Sequence, residues 1–380
     1  MIPRRMGIYN VSLLHAVLTL IVLALGTVAQ ECTRSHNYTV STQDELNTVT
    51  RNCTEITGEL SLLNWSGSLT LQNITRLQSL VLHSGSSVTS LDLPELEFYA
   101  GNLILTGLPE LSRVSAPRLE VIDALHVGFS GDEPVLEIPR LVNASSVFLR
   151  GNFQSQSFNA LRYVRTKFDI CNAINCENFS YMNATTSMDL SFPALQHVGN
   201  LQIGGNVTRL STPEVTAVTC SECDWAALHL KLFGASPVAV DFPKLRTIEG
   251  NTYIRGDLAS ISFPVLHDYT HEFIAIPHQP LTISIPLETG ENFLFTGNIT
   301  ELNLPNLRDF NRIHVDSDIS DFDCDGLWEG IKQTHSTPLN ESYADAYFQC
   351  SLGVSFSRGT SWVGTAGIVF ITMVAVGFVL

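Results

Sequence analysis

Short stretches of alternating apolar and polar residues recur along this chain at a nearly constant spacing. The second inward-facing residue of each stretch falls at Leu105, Val127, Leu149, Ile170, Ile203, Leu232, Ile254, Ile276, Phe295 and Val315. Most intervals are 19–22 residues, and Leu62 and Leu82 extend the series backwards. Alternation over a few residues predicts a β-strand with one buried face. A repeat of this length predicts a solenoid, in which each turn buries its apolar face against the next.

A four-residue phrase separates these strands: an apolar residue, proline, any residue and leucine. It stands at 93–96, 108–111, 116–119, 138–141, 192–195, 242–245, 263–266 and 304–307. Proline has no N–H to donate to a strand ladder, so we expect the phrase at a corner of each turn. Asparagines recur near the corners and can bond to the backbone of the next turn: Asn102, Asn152, Asn200, Asn206, Asn251 and Asn298.

Two intervals of the series are longer, at 33 and 29 residues, and each contains a pair of cysteines. We interpret them as disulfide-tied loops inserted into the coil. The four cysteines allow three connectivities, of which the local pairs Cys171–Cys176 and Cys220–Cys223 are favoured. A redox or zinc site at Cys220 and Cys223 is a weaker alternative, because no second pair matches it.

Both ends of the repeat region carry capping signals. Thr42 followed by Glu45 predicts the start of a short helix, and a second short amphipathic segment follows Cys324. Bridges Cys32–Cys53 and Cys324–Cys350 would clamp the two caps, which a solenoid needs to cover its terminal core and strand edges. The predicted fold is therefore mainly β: a right-handed single-chain β-solenoid over residues 30–350, with short capping helices at both ends.

The N-terminus reads as a secretory signal peptide over residues 1–29. Arg4 and Arg5 form the charged region, residues 11–25 are apolar, and cleavage is expected after Ala29. An uncleaved signal anchor is the alternative, because the apolar run is long.

The C-terminus reads as a glycosylphosphatidylinositol (GPI) attachment signal. Residues 351–357 form a short linker, Ser357 is the favoured attachment residue, and residues 358–380 are the propeptide that is removed. Ser351, Ser355 and Gly359 are alternative attachment residues. An ordinary membrane-spanning helix is the competing interpretation of the apolar tail.

Both signals predict an extracellular protein, and the even number of cysteines agrees with an oxidising compartment. Ten Asn-x-Ser/Thr sequons lie outside the signal, an excess that suggests a glycosylated ectodomain. Asn52 is left out of the predicted sites, because Cys53, which we expect to form a disulfide, lies inside its sequon. The predicted glycosylation sites are Asn37, Asn64, Asn73, Asn143, Asn178, Asn183, Asn206, Asn298 and Asn340. At Asn206 and Asn298 a structural role at a corner competes equally with glycosylation.

Composition and charge limit the classes of partner that are expected. The chain is 44% apolar, too much for a disordered polymer. Its formal net charge of −16 argues against nucleic acid or an anionic membrane surface as a direct partner.

The sequence gives little support for catalysis or for a bound metal or cofactor. Solenoid enzymes that cleave polysaccharides need convergent carboxylates, whereas the candidates are scattered: Asp123, Asp169, Asp241, Asp257 and Asp268. Residues 321–326 match the first half of a calcium loop, but Lys332 stands where the bidentate glutamate belongs. No metal site and no cofactor is predicted.

The opening with Cys32, a helix, Cys53 and Ile56–Leu62 resembles a receptor L-domain. The Phe-Pro-x-Leu phrase and the strand Gly199–Asn206 resemble fungal GPI-anchored proteins needed for cell-wall organisation. The resemblance covers about residues 30–350 and implies a non-enzymatic β-solenoid at the plasma membrane or in the wall. Family members usually carry a long Ser/Thr-rich stalk before the anchor, whereas here only about a dozen residues separate Cys350 from the apolar tail.

We therefore expect a non-enzymatic, GPI-anchored surface glycoprotein that supports wall organisation. Its expected partners are wall polysaccharide or other cell-surface proteins, with the GPI lipid as its contact with the membrane. The alternatives are a wall-remodelling enzyme that acts on glycans, and a ligand-binding receptor or adhesin.

Overall fold

The computed structural model describes residues 37–83, 86–132, 134–153, 155–172, 186–220, 226–267, 269, 271–334 and 347–353. The predicted signal peptide and anchor segment lie outside these residues. Within them the chain is a parallel β-solenoid of about 11 turns, with 55% strand and 7% helix. The predicted fold class is confirmed.

The helices are α1 (Gln43–Thr50) and α2 (Cys324–Thr334). The strands, numbered along the chain, are β1 (Tyr38–Val40), β2 (Glu55–Leu62), β3 (Ser66–Thr70), β4 (Arg76–Leu82), β5 (Ser87–Asp92), β6 (Phe98–Leu105), β7 (Arg113–Ser115), β8 (Val121–Asp132), β9 (Val135–Glu137), β10 (Asn143–Asn152), β11 (Ser155–Ser157), β12 (Tyr163–Cys171), β13 (Met188–Ser191), β14 (His197–Val198), β15 (Leu201–Ser211), β16 (Ala217–Thr219), β17 (Leu228–Phe233), β18 (Val238–Asp241), β19 (Thr247–Glu249), β20 (Thr252–Gly256), β21 (Leu258–Ser262), β22 (Glu272–Pro277), β23 (Leu281–Ser284), β24 (Thr289–Gly297), β25 (Ile299–Asn303), β26 (Asp309–Ser317) and β27 (Phe348–Leu352).

The longer strands stack in one 19-stranded sheet that runs the length of the described coil, from β1 to β27. Shorter strands form a second face, in which β3, β5, β7 and β9 make one four-stranded sheet and β18, β21, β23 and β25 another. Between them, β11 and β13 pair with each other and β13 pairs with the end of β15. Each turn thus contributes one strand to the long sheet, and most turns add one to the second face.

The register largely follows the predicted inward series. Val127 pairs with both Leu105 and Leu149, and the column continues through Ile170 to Ile203. All five side chains are at most 2% exposed, and burial of each such side chain contributes about 1.5–3 kcal/mol.

Two members of the predicted series are wrong. Ile203 pairs with Leu230 rather than Leu232, and Ile254 pairs with Ala275 rather than Ile276. Strand β17 alternates three leucines, so a slip of two residues keeps the same face and the pattern cannot fix the register. Strand β22 is apolar on both faces, which removes the alternation altogether.

The proline phrase forms a corner turn, as predicted. In the first copy Leu96 donates its N–H to the carbonyl of Leu93 at 3.3 Å, and the other copies repeat this bond. Proline at the second position has the φ that such a turn requires. Residues 158–161 and 212–215 form the same turn, with Leu161 bonded to Phe158 at 3.3 Å and Val215 to Thr212 at 3.5 Å. The first lacks the proline, and the second lacks both the apolar first residue and the leucine.

Both predicted caps are helical. At the front, Thr42 accepts the N–H of Glu45 at 3.2 Å, while the Glu45 carboxylate accepts the N–H of Ser41 at 2.7 Å. Leu46 of α1 is completely buried. At the back, Cys324 is bonded to Cys350 with a Cα–Cα distance of 5.8 Å, which ties α2 to the edge strand β27.

Candidate functional site

One outward-facing column of the long sheet holds a buried ionic cluster. Asp169 accepts a hydrogen bond from Arg150 at 2.6 Å, and Lys167 lies 3.6 Å from the same carboxylate oxygen. The Asp169 side chain is only 4% exposed. Burial raises its pKa, while Arg150 and Lys167 act in the opposite direction.

His229 and Lys231 of β17 extend this cluster. Burial lowers the pKa of His229 to about 3, with further lowering by Lys231 and Lys167. Burial, and then Arg255, lower the pKa of Lys231 to about 7. The Tyr253 ring lies beside both residues, 5.4 Å from the Lys231 ammonium and 5.2 Å from the His229 ring.

A lysine that titrates near neutrality could act as a base, but the space beside this cluster is small. A cavity lined by Arg150, Asp169 and His229 measures about 10 Å³, close to the minimum for one water molecule. The described part of the cluster is therefore a packed polar network with no room for a sugar.

A second feature lies near the front of the same sheet, where three consecutive turns share an interruption. The β2–β4 register shifts between Ile56 and Glu59, and the β6–β8 register shifts between Tyr99 and Asn102. Between these pairs, β4 and β6 are matched at only two positions, which begin at Arg76.

Tyr99 lies within this interruption. Its side chain is completely buried, and its phenol oxygen accepts the backbone N–H of Leu80 at 2.8 Å. Burial raises the pKa of Tyr99 to about 12, against the effect of that bond. At Gly101 a Cβ would lie 2.4 Å from the carbonyl oxygen of Gln78, so only glycine fits there.

The interruption opens a groove of about 420 Å³ on the outside of the sheet. Arg76 forms its wall, with its guanidinium 4.6 Å from the centre of the Phe98 ring and its Nε 3.4 Å from the Glu55 carboxylate. Gln78 and Ser79 also line this groove. The volume falls within the range of about 300–1,000 Å³ that is typical of small-ligand pockets.

Sequence reasoning missed both features. Alternation in β17 places His229 and Lys231 on the outward face, but it carries no information about what buries that face. The groove lies beside Tyr99 and Gly101, and alternation along the chain does not show which backbone groups these two residues contact. Its one local signal is the Gly101–Asn102 pair inside a strand, which is typical of a bulge.

Several predicted glycosylation sites lie on the surface. The structure exposes Asn37, Asn64, Asn73 and Asn143. Asn64 and Asn73 also have positive φ, a conformation that asparagine tolerates well. Asn178, Asn183 and Asn340 lie outside the described residues.

At the two contested corner positions the side-chain contacts differ, and glycosylation there stays a prediction. The Asn298 side-chain amide, which would carry a glycan, donates to the carbonyl of His278 at 2.8 Å. Asn206 is half-buried, and its Oδ1 is buried without a partner among the described residues. Asn251 accepts the N–H of Glu272 at 3.2 Å, so the corner asparagines do bond between turns.

The remaining cysteines are only partly described. Cys53, Cys171 and Cys220 are disulfide-bonded, and their partners lie outside the described residues. Those undescribed cysteines are Cys32, Cys176 and Cys223. The inner connectivity stays a prediction, as does attachment at Ser357.

The acidic candidates have individual structural roles. Asp123 lies 3.6 Å from Arg165, and Asp257 accepts the N–H of Gly234 at 3.3 Å. In the calcium-like segment, Asp323 accepts the N–H of Gly326 at 2.8 Å and caps α2. Asp268 lies outside the described residues. Where the chain is described, no three His, Cys, Asp or Glu residues are grouped to hold a metal.

None of the described helices is long and apolar enough to cross a membrane. Comparison of the chain with family models, curated proteins and solved structures finds no match.

Proposed function

We propose that this chain is a non-catalytic, GPI-anchored glycoprotein of the fungal cell surface. Its solenoid presents a rigid face to wall polysaccharide or to other surface proteins and thereby supports wall organisation. The resemblance to GPI-anchored wall-organisation proteins supplies the biological setting of this proposal, and the terminal signals supply its location.

The observation that carries the proposal is the single parallel stack of about 11 turns, with a helix at each end. Successive turns in such a stack repeat every 4.7–4.9 Å or so, which produces an extended, regular surface. An extended surface of this kind suits a partner that is itself long, such as a polymer or a neighbouring surface protein.

Exposed sequons add support, because four predicted acceptor asparagines have accessible side chains. The described part of the ionic cluster offers no site for cleavage of a sugar, because its cavity of about 10 Å³ leaves no space for a sugar unit.

Deletion of the gene in its own organism tests this role. We expect hypersensitivity to wall-binding dyes, which the full-length gene restores. Normal dye resistance together with normal wall composition would contradict the proposal. Release of sugar from glucan, chitin or mannan by the purified protein would instead favour the enzymatic alternative.

A further inference from the structure

We propose that the groove over β2, β4 and β6 is a binding site for a short segment of neutral oligosaccharide. This inference deepens the proposed surface role and rests on it, since it names the class of ligand that the solenoid binds. The shape of the groove, the chemistry of its wall and its charge each favour such a ligand.

The shape is built into the backbone. Tyr99 is buried and its phenol oxygen accepts the Leu80 N–H, while Gly101 lies so close to the Gln78 carbonyl that no side chain fits there. Because these two residues are locked by burial and by close backbone contact, the groove exists before a ligand arrives. A preformed site avoids the entropic cost of ordering loops on binding.

The wall offers the three kinds of contact that a sugar ring needs. Phe98 lines the groove, and its ring, one face of which lies under the Arg76 guanidinium, supplies apolar carbon for the C–H groups of a pyranose. Arg76 supplies charged hydrogen-bond donors, and Glu55 supplies charged acceptors. Arg76 is 53% exposed and Glu55 is 31% exposed, so both have capacity for hydroxyl groups beyond their mutual ion pair. Hydrogen bonds that involve a charged partner are roughly twice as strong as neutral ones.

The charge selects a neutral ligand. Arg76 is balanced by Glu55 at 3.4 Å, so these two residues leave no excess positive charge in the groove. The chain as a whole carries a formal net charge of −16, which repels polyanions. A phosphorylated or acidic polymer is therefore a poorer fit than an uncharged glycan.

Titration calorimetry tests the site directly. The protein is produced from the full-length chain in a eukaryotic secretory host, purified in detergent and trimmed with endoglycosidase. Trimming is needed because the sequons of Asn52 and Asn73 begin three residues before Glu55 and Arg76. The probes are chitotetraose, laminaritetraose and mannotetraose, each titrated to millimolar concentration.

We expect saturable binding of at least one probe. Phe98→Leu, which keeps apolar volume but removes the ring, and Arg76→Gln should each weaken it about tenfold, equivalent to about 1.4 kcal/mol. Arg113→Gln is the matched control, because Arg113 is also an exposed arginine, paired with Glu137 at 2.7 Å on the second face. Its binding should equal that of the wild type, and circular dichroism should be unchanged for all variants.

Two results would overturn the site: no saturable binding with any of the three probes, or equal affinity in Phe98→Leu, Arg76→Gln and wild type. The deletion strain separates this failure from failure of the proposed function. A dye-sensitive deletion strain that Phe98→Leu fully restores, with no sugar bound, would remove the groove and keep the wall role. A deletion strain without a wall defect would remove the wall role whatever the groove binds.

Discussion

Single residues determine where this regular coil departs from its repeat. Tyr99 is the clearest case, because its phenol takes the place of a backbone acceptor for Leu80. A buried donor without a partner costs about 1–3 kcal/mol, so one oxygen atom has a measurable effect on the local stability of the sheet.

Tyr99→Phe should lower the free energy of local opening by about 1–3 kcal/mol, because it leaves the Leu80 N–H buried and unpaired. Native-state hydrogen exchange of the Leu80 amide measures this effect. Tyr163→Phe is the control, since Tyr163 is 39% exposed and its hydroxyl bonds to a surface glutamine. Unchanged protection of the Leu80 amide in Tyr99→Phe would contradict the stabilising role of this hydrogen bond.

His229 should make the protein sensitive to acid. Its pKa is about 3 in the folded state against a usual 6.5, so the unfolded state binds more protons between these values. The free energy of unfolding should therefore rise with pH across this window, by up to about 1.4 kcal/mol per pH unit.

Thermal unfolding at several pH values between 3 and 7 checks this slope, with His229→Gln as the comparison. Asp169 acts against this rise of stability with pH, because burial raises its pKa. The informative quantity is therefore the difference in stability between wild type and His229→Gln at each pH. The variant should show the flatter profile, and parallel profiles would exclude His229 as the source.

At the scale of elements, strands and corners repeat while the caps are built individually. The proline turns and buried columns recur from turn to turn, so each element is stabilised by its two neighbours. Among the described residues, the last strand β27 pairs with β26 alone, and the Cys324–Cys350 bridge adds a second restraint.

Replacing both cysteines, as Cys324→Ala with Cys350→Ala, should therefore loosen the back of the coil first. The bridge spans 26 residues, and loss of a loop of that size costs about 3 kcal/mol in the chain-entropy account. Hydrogen exchange should increase in β26 and β27 and remain unchanged in β2. An equal increase at both ends would show that the coil unfolds as one unit.

Loss of the front cap should lower stability by a smaller amount. Thr42→Ala removes the acceptor for the Glu45 N–H and should cost about 1 kcal/mol. Protection of the first-turn amides of α1 measures it, and Ser41→Ala is the control because Ser41 contributes its backbone N–H rather than its hydroxyl. Equal losses in both variants would argue against the cap.

At the scale of the whole molecule, the repeat made the fold predictable. The alternation within each turn independently predicts which residues face inward. A wrong assignment, such as Leu232 or Ile276, therefore shifts one strand and leaves the predicted architecture unchanged. The caps were predictable for a similar reason, because Thr42 with Glu45 is a local signal that needs no knowledge of distant residues.

The candidate site was not predictable in this way. The groove lies beside Tyr99 and Gly101, and the contacts of these two residues are with Leu80 and Gln78 one turn earlier. The burial of His229 and Lys231 is likewise a property of packing around the coil. A pattern of alternation assigns a face but gives no account of what lies against it.

We propose that this solenoid is held at the outer cell surface by a lipid anchor. Intact cells that express the protein with an epitope tag after Gln30 test it most directly, by treatment with phosphatidylinositol-specific phospholipase C. We predict that the phospholipase releases the tagged protein into the medium. Release by β-glucanase alone would instead show covalent linkage to the wall. Release by detergent alone would show that the tail spans the bilayer and would contradict the claim.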